Sequence, residues 1–365
     1  MKHSTRLADL LQSTFGLHRA RVTCLAALVI ALFRVKTVNL AQLATAFPGT
    51  VEIDSHYRRL QRFFQYLQLQ PARVATFVLA FLPDAPYTLA LDRTQWMLGR
   101  VPINFLVLSV IYDGIAFPLF FRVLAKRGNS NTQERVDLLA QFLKVLGSDK
   151  IDCLVADREF IGADFFAWLK THHIPFCIRI RHDMKVSRTT GDLSPARNFF
   201  RSLPRSTSCC LIGPRLVCGH RLWVAGMHLP SGAYLIVVSN RPGQQALEVY
   251  RRRWHIEVLF EALKSRGFNF EQTRLREAKR LETLGSVLAI AFCWAWHVGA
   301  WRHEVKPIAL KTHQRPAKSL FRYGFDGIRR AVLNATDDGE PFELVLSLLH
   351  KVLTSPKAFQ LLDPV

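Results

Sequence analysis

The sequence predicts an α/β core with a β-rich insertion, flanked by helical N-terminal and C-terminal regions. Three features predict it. Apolar periodicity is helical up to about residue 80, turns strand-like at residue 87, and becomes mostly helical again after about residue 247. Between residues 87 and 180, strand-like and helix-like runs alternate. Hydrophobic residues form 49% of the 365, enough for a sizeable core and too many for a disordered chain. The length exceeds one typical domain, so two or three units are expected.

Taken in order, NLAQLATAF reads as a short amphipathic helix and GTVEID as a turn. SHYRRLQRFFQYL then reads as a second helix with Ser55 as its N-cap. The pair has the pattern of a helix-turn-helix, with Arg58, Arg59 and Arg62 on the second helix. Pro83 and Pro86 in FLPDAP end the helical pattern and mark the first boundary. YTLALDRT is a strand. NFLVLSVIYDG and IAFPLFFRVLA are two more, joined through Asp113-Gly114, a hairpin dipeptide. TQERVDLLAQFLKVLG is an amphipathic helix ending at Gly147. IDCLVADREF is an apolar strand ending at Asp157, GADFFAWLKTHH a helix, and IPFCIRI a fifth strand. Three strands, helix, strand, helix, strand is the order of a ribonuclease-H-like fold. Groups toward the C-terminal ends of such strands converge at one edge, and Asp92 and Asp157 are both placed for that. CCLIGPRLVCG, HRLWVAGMHL and AYLIVVSN supply the strands of the insertion, and residues 247–265 read as one helix.

Lys and Arg number 49 against 28 Asp and Glu, a formal net charge of +21. That excess calls for a polyanionic partner, nucleic acid or an anionic membrane surface. It is spread: residues 1–80 hold ten Lys/Arg against three acids, and residues 178–233 nine against two. Seven cysteines with no C-x2-C pair argue against a zinc site or a disulfide framework, and Cys209, Cys210 and Cys218 beside His220 read as strand residues. The N-terminus has no continuous apolar stretch of the kind that opens a signal peptide. LGSVLAIAFCWAWHVGAW is nearly long enough to span a bilayer, but Trp and His interrupt it and charges flank it closely. A buried core helix is the better reading.

The most specific pattern is YRRRWHIEVLFEALKSRG, which holds Tyr250, Arg253, Glu257 and Lys264 in the spacing Y-x2-R-x3-E-x6-K. On one helix these offsets return to roughly one face. A hydroxyl, a guanidinium, a carboxylate and an ammonium would stand together, and Trp254 beside them reads as core packing. With Asp92 and Asp157, Glu257 makes three carboxylates. Three carboxylates and a cationic stripe are what two-metal chemistry on a phosphodiester needs. Glu261, one turn beyond, competes with Glu257 as the third carboxylate.

Tyr250, Arg253, Glu257 and Lys264, with Asp92 and Asp157, resemble the Y-R-E-K signature and DDE triad of bacterial insertion-sequence transposases of the insertion-sequence-four family. The pattern is similar, more distantly, to retroviral integrases. The resemblance covers residues 85–275. It implies a transposase that cuts element ends and joins them to target DNA, with Asp92, Asp157 and Glu257 holding two Mg²⁺ ions and Mn²⁺ tolerated. It implies that Tyr250, Arg253 and Lys264 grip phosphates, and that Arg274 in Glu271-Gln272-Thr273-Arg274 touches DNA. Tyr234 stands near the place where some relatives carry a Trp that stacks on a flipped base. Partners would be element-end and target duplexes, bound by a homodimer in the cytoplasm at the nucleoid. The expected units are a helical end-binding domain at 1–84 using Arg58, Arg59 and Arg62, the first part of the catalytic core at 85–177, the insertion at 178–240, the rest of the core at 241–280, and a helical region at 281–365. A metal-dependent nuclease of the same fold and a non-catalytic repressor derived from a transposase are the alternatives; a membrane-surface protein is a remote one.

Overall fold

The computed structural model describes residues 2–124, 126–243, 245–312, 314–334 and 340–362. Five helices come first: α1 (Lys2–Phe15), α2 (Arg19–Val35), α3 (Leu40–Thr45), α4 (Ile53–Tyr66) and α5 (Pro71–Leu79). The central run follows as β1 (Tyr87–Leu98), β2 (Val101–Tyr112), β3 (Ile115–Val123), α6 (Thr132–Leu146), β4 (Ile151–Ala156), α7 (Ala163–Thr171) and β5 (Phe176–Ile180). A small hairpin, β6 (Lys185–Ser187) and β7 (Leu193–Pro195), opens the basic stretch. It continues through β8 (Ser208–Cys210), β9 (Arg215–Val217), β10 (His220–His228) and β11 (Tyr234–Ser239). Helices α8 (Ala246–Arg251), α9 (Trp254–Leu263), α10 (Ala278–Val305), α11 (Leu320–Leu333), α12 (Glu340–Leu353) and α13 (Pro356–Leu362) complete the chain.

The core strands stand in the order β3-β2-β1-β4-β5. The first three are antiparallel, and β4 and β5 run parallel to β1. With helices in the β3–β4 and β4–β5 crossovers, this is the ribonuclease-H-like arrangement within a mixed α/β fold. Its local causes are legible. Asp113 and Gly114, both at positive φ, close the β2–β3 hairpin. An Asn131–Glu134 capping box starts α6 and Gly147 ends it. Pro118 sits in β3, an edge strand, where a missing N–H costs little. Residues Ile103–Val110 of β2 are buried without alternation, as expected of a sheet covered on both faces.

Two features depart from the linear reading. The strands of the basic insertion extend the same sheet: β11 pairs antiparallel with β5, β10 with β11, and β8 with β10. Ser55 is not the cap of α4. The helix begins at Ile53, three residues earlier than a cap at Ser55 implies, because the expected turn winds into its first turn and leaves Ser55 exposed on it.

The apolar segment of the C-terminal third is α10. It is long and apolar enough to cross a membrane, but 89% of its most apolar window is buried inside the fold. It is the shared spine of the helical layer. Phe33 of α2 packs edge-on to Trp294, whose indole N–H donates to the carbonyl of Val345 in α12 at 2.9 Å. Glu282 of α10 accepts the Val123 backbone N–H at 2.9 Å and so ties the spine to the end of β3.

Helices α10 and α11 meet at glycines. A Cβ on Gly324 would lie 1.8 Å from the Ala295 carbonyl oxygen, and one on Gly299 would lie 1.9 Å from that of Leu320. Both obstacles are backbone, so no rotamer relieves them. Gly324→Ala should therefore destabilise the protein by about 3 kcal/mol or more. Thermal unfolding checks this, and a melting temperature equal to the wild type would refute the close crossing.

Candidate active site

The site begins at one rung of the sheet. β1 and β4 pair in parallel as far as Leu91 opposite Ala156. Asp92 and Asp157 are the next residues on each chain. Neighbouring strands run about 4.8 Å apart, so the two aspartates stand side by side just beyond the last paired rung. Asp92 is not at the end of its strand. β1 continues six residues further, paired only with β2 (Asp92 opposite Val107). Parallel pairing stops at β4 because the chain turns there into the 3₁₀ turn Arg158–Phe160.

The third carboxylate comes from α9, and its approach corrects a sequence expectation. Residues 247–265 do not form one helix. α8 ends at Arg251, and α9 starts at Trp254. Across the break, the N–H groups of Arg252, Arg253, His255 and Ile256 bond to carbonyls three residues back rather than four. This tighter winding re-aims the chain. Tyr250 lies on the first helix, Arg253 caps the second, and Lys264 closes its far end.

The break puts Arg253 between two carboxylates. One terminal nitrogen donates to Asp92 Oδ2 at 2.6 Å and the other to Glu257 Oε1 at 2.6 Å. Those nitrogens lie about 2.3 Å apart in any guanidinium, so the two carboxylate oxygens are within about 8 Å of each other. Tyr250 Oη donates to Asp157 Oδ1 at 3.1 Å, and Arg179 of β5 stands 3.7 Å from the same oxygen. The Arg93 N–H donates to Asp92 Oδ1 at 2.7 Å. The site thus holds two bonded sets, Arg253 with Asp92 and Glu257, and Asp157 with Tyr250 and Arg179, with the Arg253 guanidinium 5.9 Å from the Tyr250 ring. On the Asp157 side it faces an open cleft of about 580 Å³.

The other sequence candidates fall elsewhere. Lys264 pairs with Glu271 at 2.7 Å and lies 5.6 Å from the Trp96 ring, in neither bonded set. Glu261 pairs with Arg266 and lines a different cleft. Tyr234 stacks on His228 at 4.8 Å. Arg58, Arg62 and Arg274 are exposed, and Arg59 turns toward Cys24 of α2. Trp254 was expected in the core and is instead 62% exposed, because the break turns the first residue of α9 outward beside Arg253. Sequence reasoning missed Glu159 and its partner Arg93. The Arg93 Nε donates to both Glu159 oxygens at 3.1 Å, and Glu159 lines the same cleft as Asp157. Their only sequence signal is adjacency to the two aspartates.

Comparison with known proteins gives the class. A family described as transposase DDE domain matches residues 86–294, more than half of the chain. The chain belongs to that family. It is a transposase, an enzyme of polynucleotidyl transfer. No curated protein matches it. Among solved structures, the chain is similar to a piggyBac transposase synaptic complex with hairpin DNA at 11% identity and a TM-score of 0.46, covering 98% of this chain and 80% of that one.

The transposase holds its central carboxylate under stress. Burial raises the Asp92 pKa from 3.8 to about 6, although Arg253 and the Arg93 N–H pull it down; Asp157 and Glu159 add to the rise. Protonated Asp92 therefore favours the fold. That contribution is complete below about pH 3.8 and is lost as pH rises through about 6. Above that range the charged side chain costs roughly 1–3 kcal/mol. Metal-free Asp92→Asn should melt about 2–5 °C above the wild type at pH 8, with the gap closing near pH 4. Parallel melting curves across that range would show that Asp92 carries no such burden.

Proposed function

We propose that this transposase, of the insertion-sequence-four type, cuts the ends of a DNA element and joins them to target DNA. The observation that carries the reading is the convergence of Asp92, Asp157 and Glu257, with Arg253 bridging Asp92 to Glu257 and Tyr250 bonded to Asp157, on a ribonuclease-H-like sheet. The net charge of +21 suits a DNA partner, and the Y-x2-R-x3-E-x6-K spacing supports the family type.

The donor set fits divalent metal. Three carboxylates offer hard oxygens, and the partly buried Asp92 already has a positive charge beside it in Arg253. Among the described residues no three acidic, His or Cys groups stand ready as a cluster, since the guanidinium occupies the space between Asp92 and Glu257. Asp92, Asp157 and Glu257 would hold two Mg²⁺ ions, or Mn²⁺ in their place. Such ions activate a water or 3′-hydroxyl and stabilise the leaving oxygen.

The remaining roles belong to the chain itself. Arg253 exchanges its carboxylate partners for a phosphate next to the scissile bond, where its two donors form a bidentate fork. Tyr250 orients Asp157 through its hydroxyl. Lys264, held over Trp96, offers a point charge further along the strand. Exposed Trp254 presents an aromatic face to a base near the cut. Arg58 and Arg62 on α4 contact the element end, and a homodimer brings two ends together.

Isosteric variants test the triad. Asp92→Asn, Asp157→Asn and Glu257→Gln should each lower Mg²⁺-dependent cleavage of terminal DNA about a thousandfold or more, with affinity for that DNA within about threefold of wild type. Flanking inverted repeats of the reading frame supply the substrate. Wild-type cleavage by any one of the three would remove that residue from the chemistry.

A further inference from the structure

A second cleft, of about 390 Å³, opens between the α3–α4 pair and the segment that leads from α9 into α10. One wall carries Arg274, Arg276 and Arg280. The other carries Asn39, Tyr57 and Gln61. The cleft thus brings Arg274 together with two further arginines, Arg276 and Arg280.

Its charge is not balanced from within. Glu277 is the acidic residue of the lining, and it is paired with Arg280 at 2.8 Å. Arg274 and Arg276 are exposed and have no ion-pair partner among the described residues. The Arg280 Nε is buried and has no hydrogen-bond acceptor. Three guanidiniums around a cleft with one carboxylate call for external acceptors, and planar forks of this kind match phosphate oxygens.

The cleft is also held in shape. Thr37, just before α3, donates to Gln272 Oε1 at 2.6 Å, and Asn269 Nδ2 donates to the Lys36 carbonyl at 2.8 Å. The Asn269 N–H in turn donates to the carbonyl of Lys264 at 2.8 Å, at the end of the helix that bears Glu257. Both walls therefore hang from one hydrogen-bonded joint, and little order must be gained on binding.

We propose that this cleft binds backbone phosphates of duplex DNA, spanning the α3–α4 pair and the segment behind the Glu257 helix. The inference rests on the transposase reading for the identity of the polyanion. Phosphate contacts are independent of sequence, so a random duplex of about 30 base pairs is a sufficient probe.

Binding is measured against salt by fluorescence anisotropy in EDTA, where no cleavage occurs. The result therefore stands apart from the cleavage assay that tests the transposase reading. Arg274→Ala/Arg276→Ala should bind about tenfold more weakly at moderate salt, and its log–log salt slope should fall by about two. Both side chains are exposed and unpaired, so the variant should fold. Arg274→Lys/Arg276→Lys gives a second readout, because it keeps the slope and loses only the bidentate part of the affinity. The control Lys144→Ala/Lys351→Ala removes two exposed charges that do not line the cleft and should leave affinity and slope near wild type. Unchanged binding by the arginine-to-alanine pair would overturn the proposal. An equal loss in the control pair would overturn it too, by reducing the effect to general charge.

Discussion

The bridge from Arg253 to Asp92 and Glu257 is the interaction on which the site depends. It joins a strand to a helix that is remote in sequence, and it puts a positive charge beside a carboxylate that is mostly shielded from water. Burial of one member of an ion pair costs more than its Coulomb attraction returns unless further bonds satisfy it. Asp92 obtains one such bond from the Arg93 N–H. The raised pKa indicates that the compensation is incomplete. A group in that condition gains from any additional cation.

Each element around the bridge serves its placement. The parallel rung Leu91–Ala156 sets the two aspartates side by side. The three-residue hydrogen-bond spacing between α8 and α9 turns Arg253 toward them while leaving Tyr250 against Asp157. The fold then fixes the far end of α9 through Lys264, Glu271 and the Asn269 joint. Basic side chains of three elements, Arg93, Arg179 and Arg253, surround the carboxylates. They offset most of the site's negative charge and so lower the repulsion that a polyanion meets there.

Much of this was legible in the sequence because the signals were local. The Asp113-Gly114 hairpin, the α6 boundaries and the alternation of strands and helices follow from turn chemistry and periodicity. Asp157 was visible as the residue after an apolar strand. Other features depend on contacts distant in sequence. The helix break before Arg253 has no proline or glycine to announce it, so a continuous helix was the natural expectation, and with it a buried Trp254. The Glu159–Arg93 pair links residues 66 apart and has no pattern of its own. The insertion strands read as strands, but nothing in their composition says that β11 will extend the β5 edge. Ser55 shows the limit of cap statistics, since a good capping residue loses to a turn that winds into the helix three residues earlier.

In the proposed chemistry Arg253 stands where a divalent cation would bind. The most direct measurement is Mn²⁺ binding without DNA, by titration calorimetry, to wild type, Arg253→Ala and Arg253→Ala/Asp92→Asn. Removing the guanidinium should tighten Mn²⁺ binding by about tenfold, since Asp92 and Glu257 lose their internal counter-charge, and the added Asp92→Asn should abolish the gain. Binding that is no tighter in Arg253→Ala than in wild type, or a gain that survives Asp92→Asn, would contradict the claim.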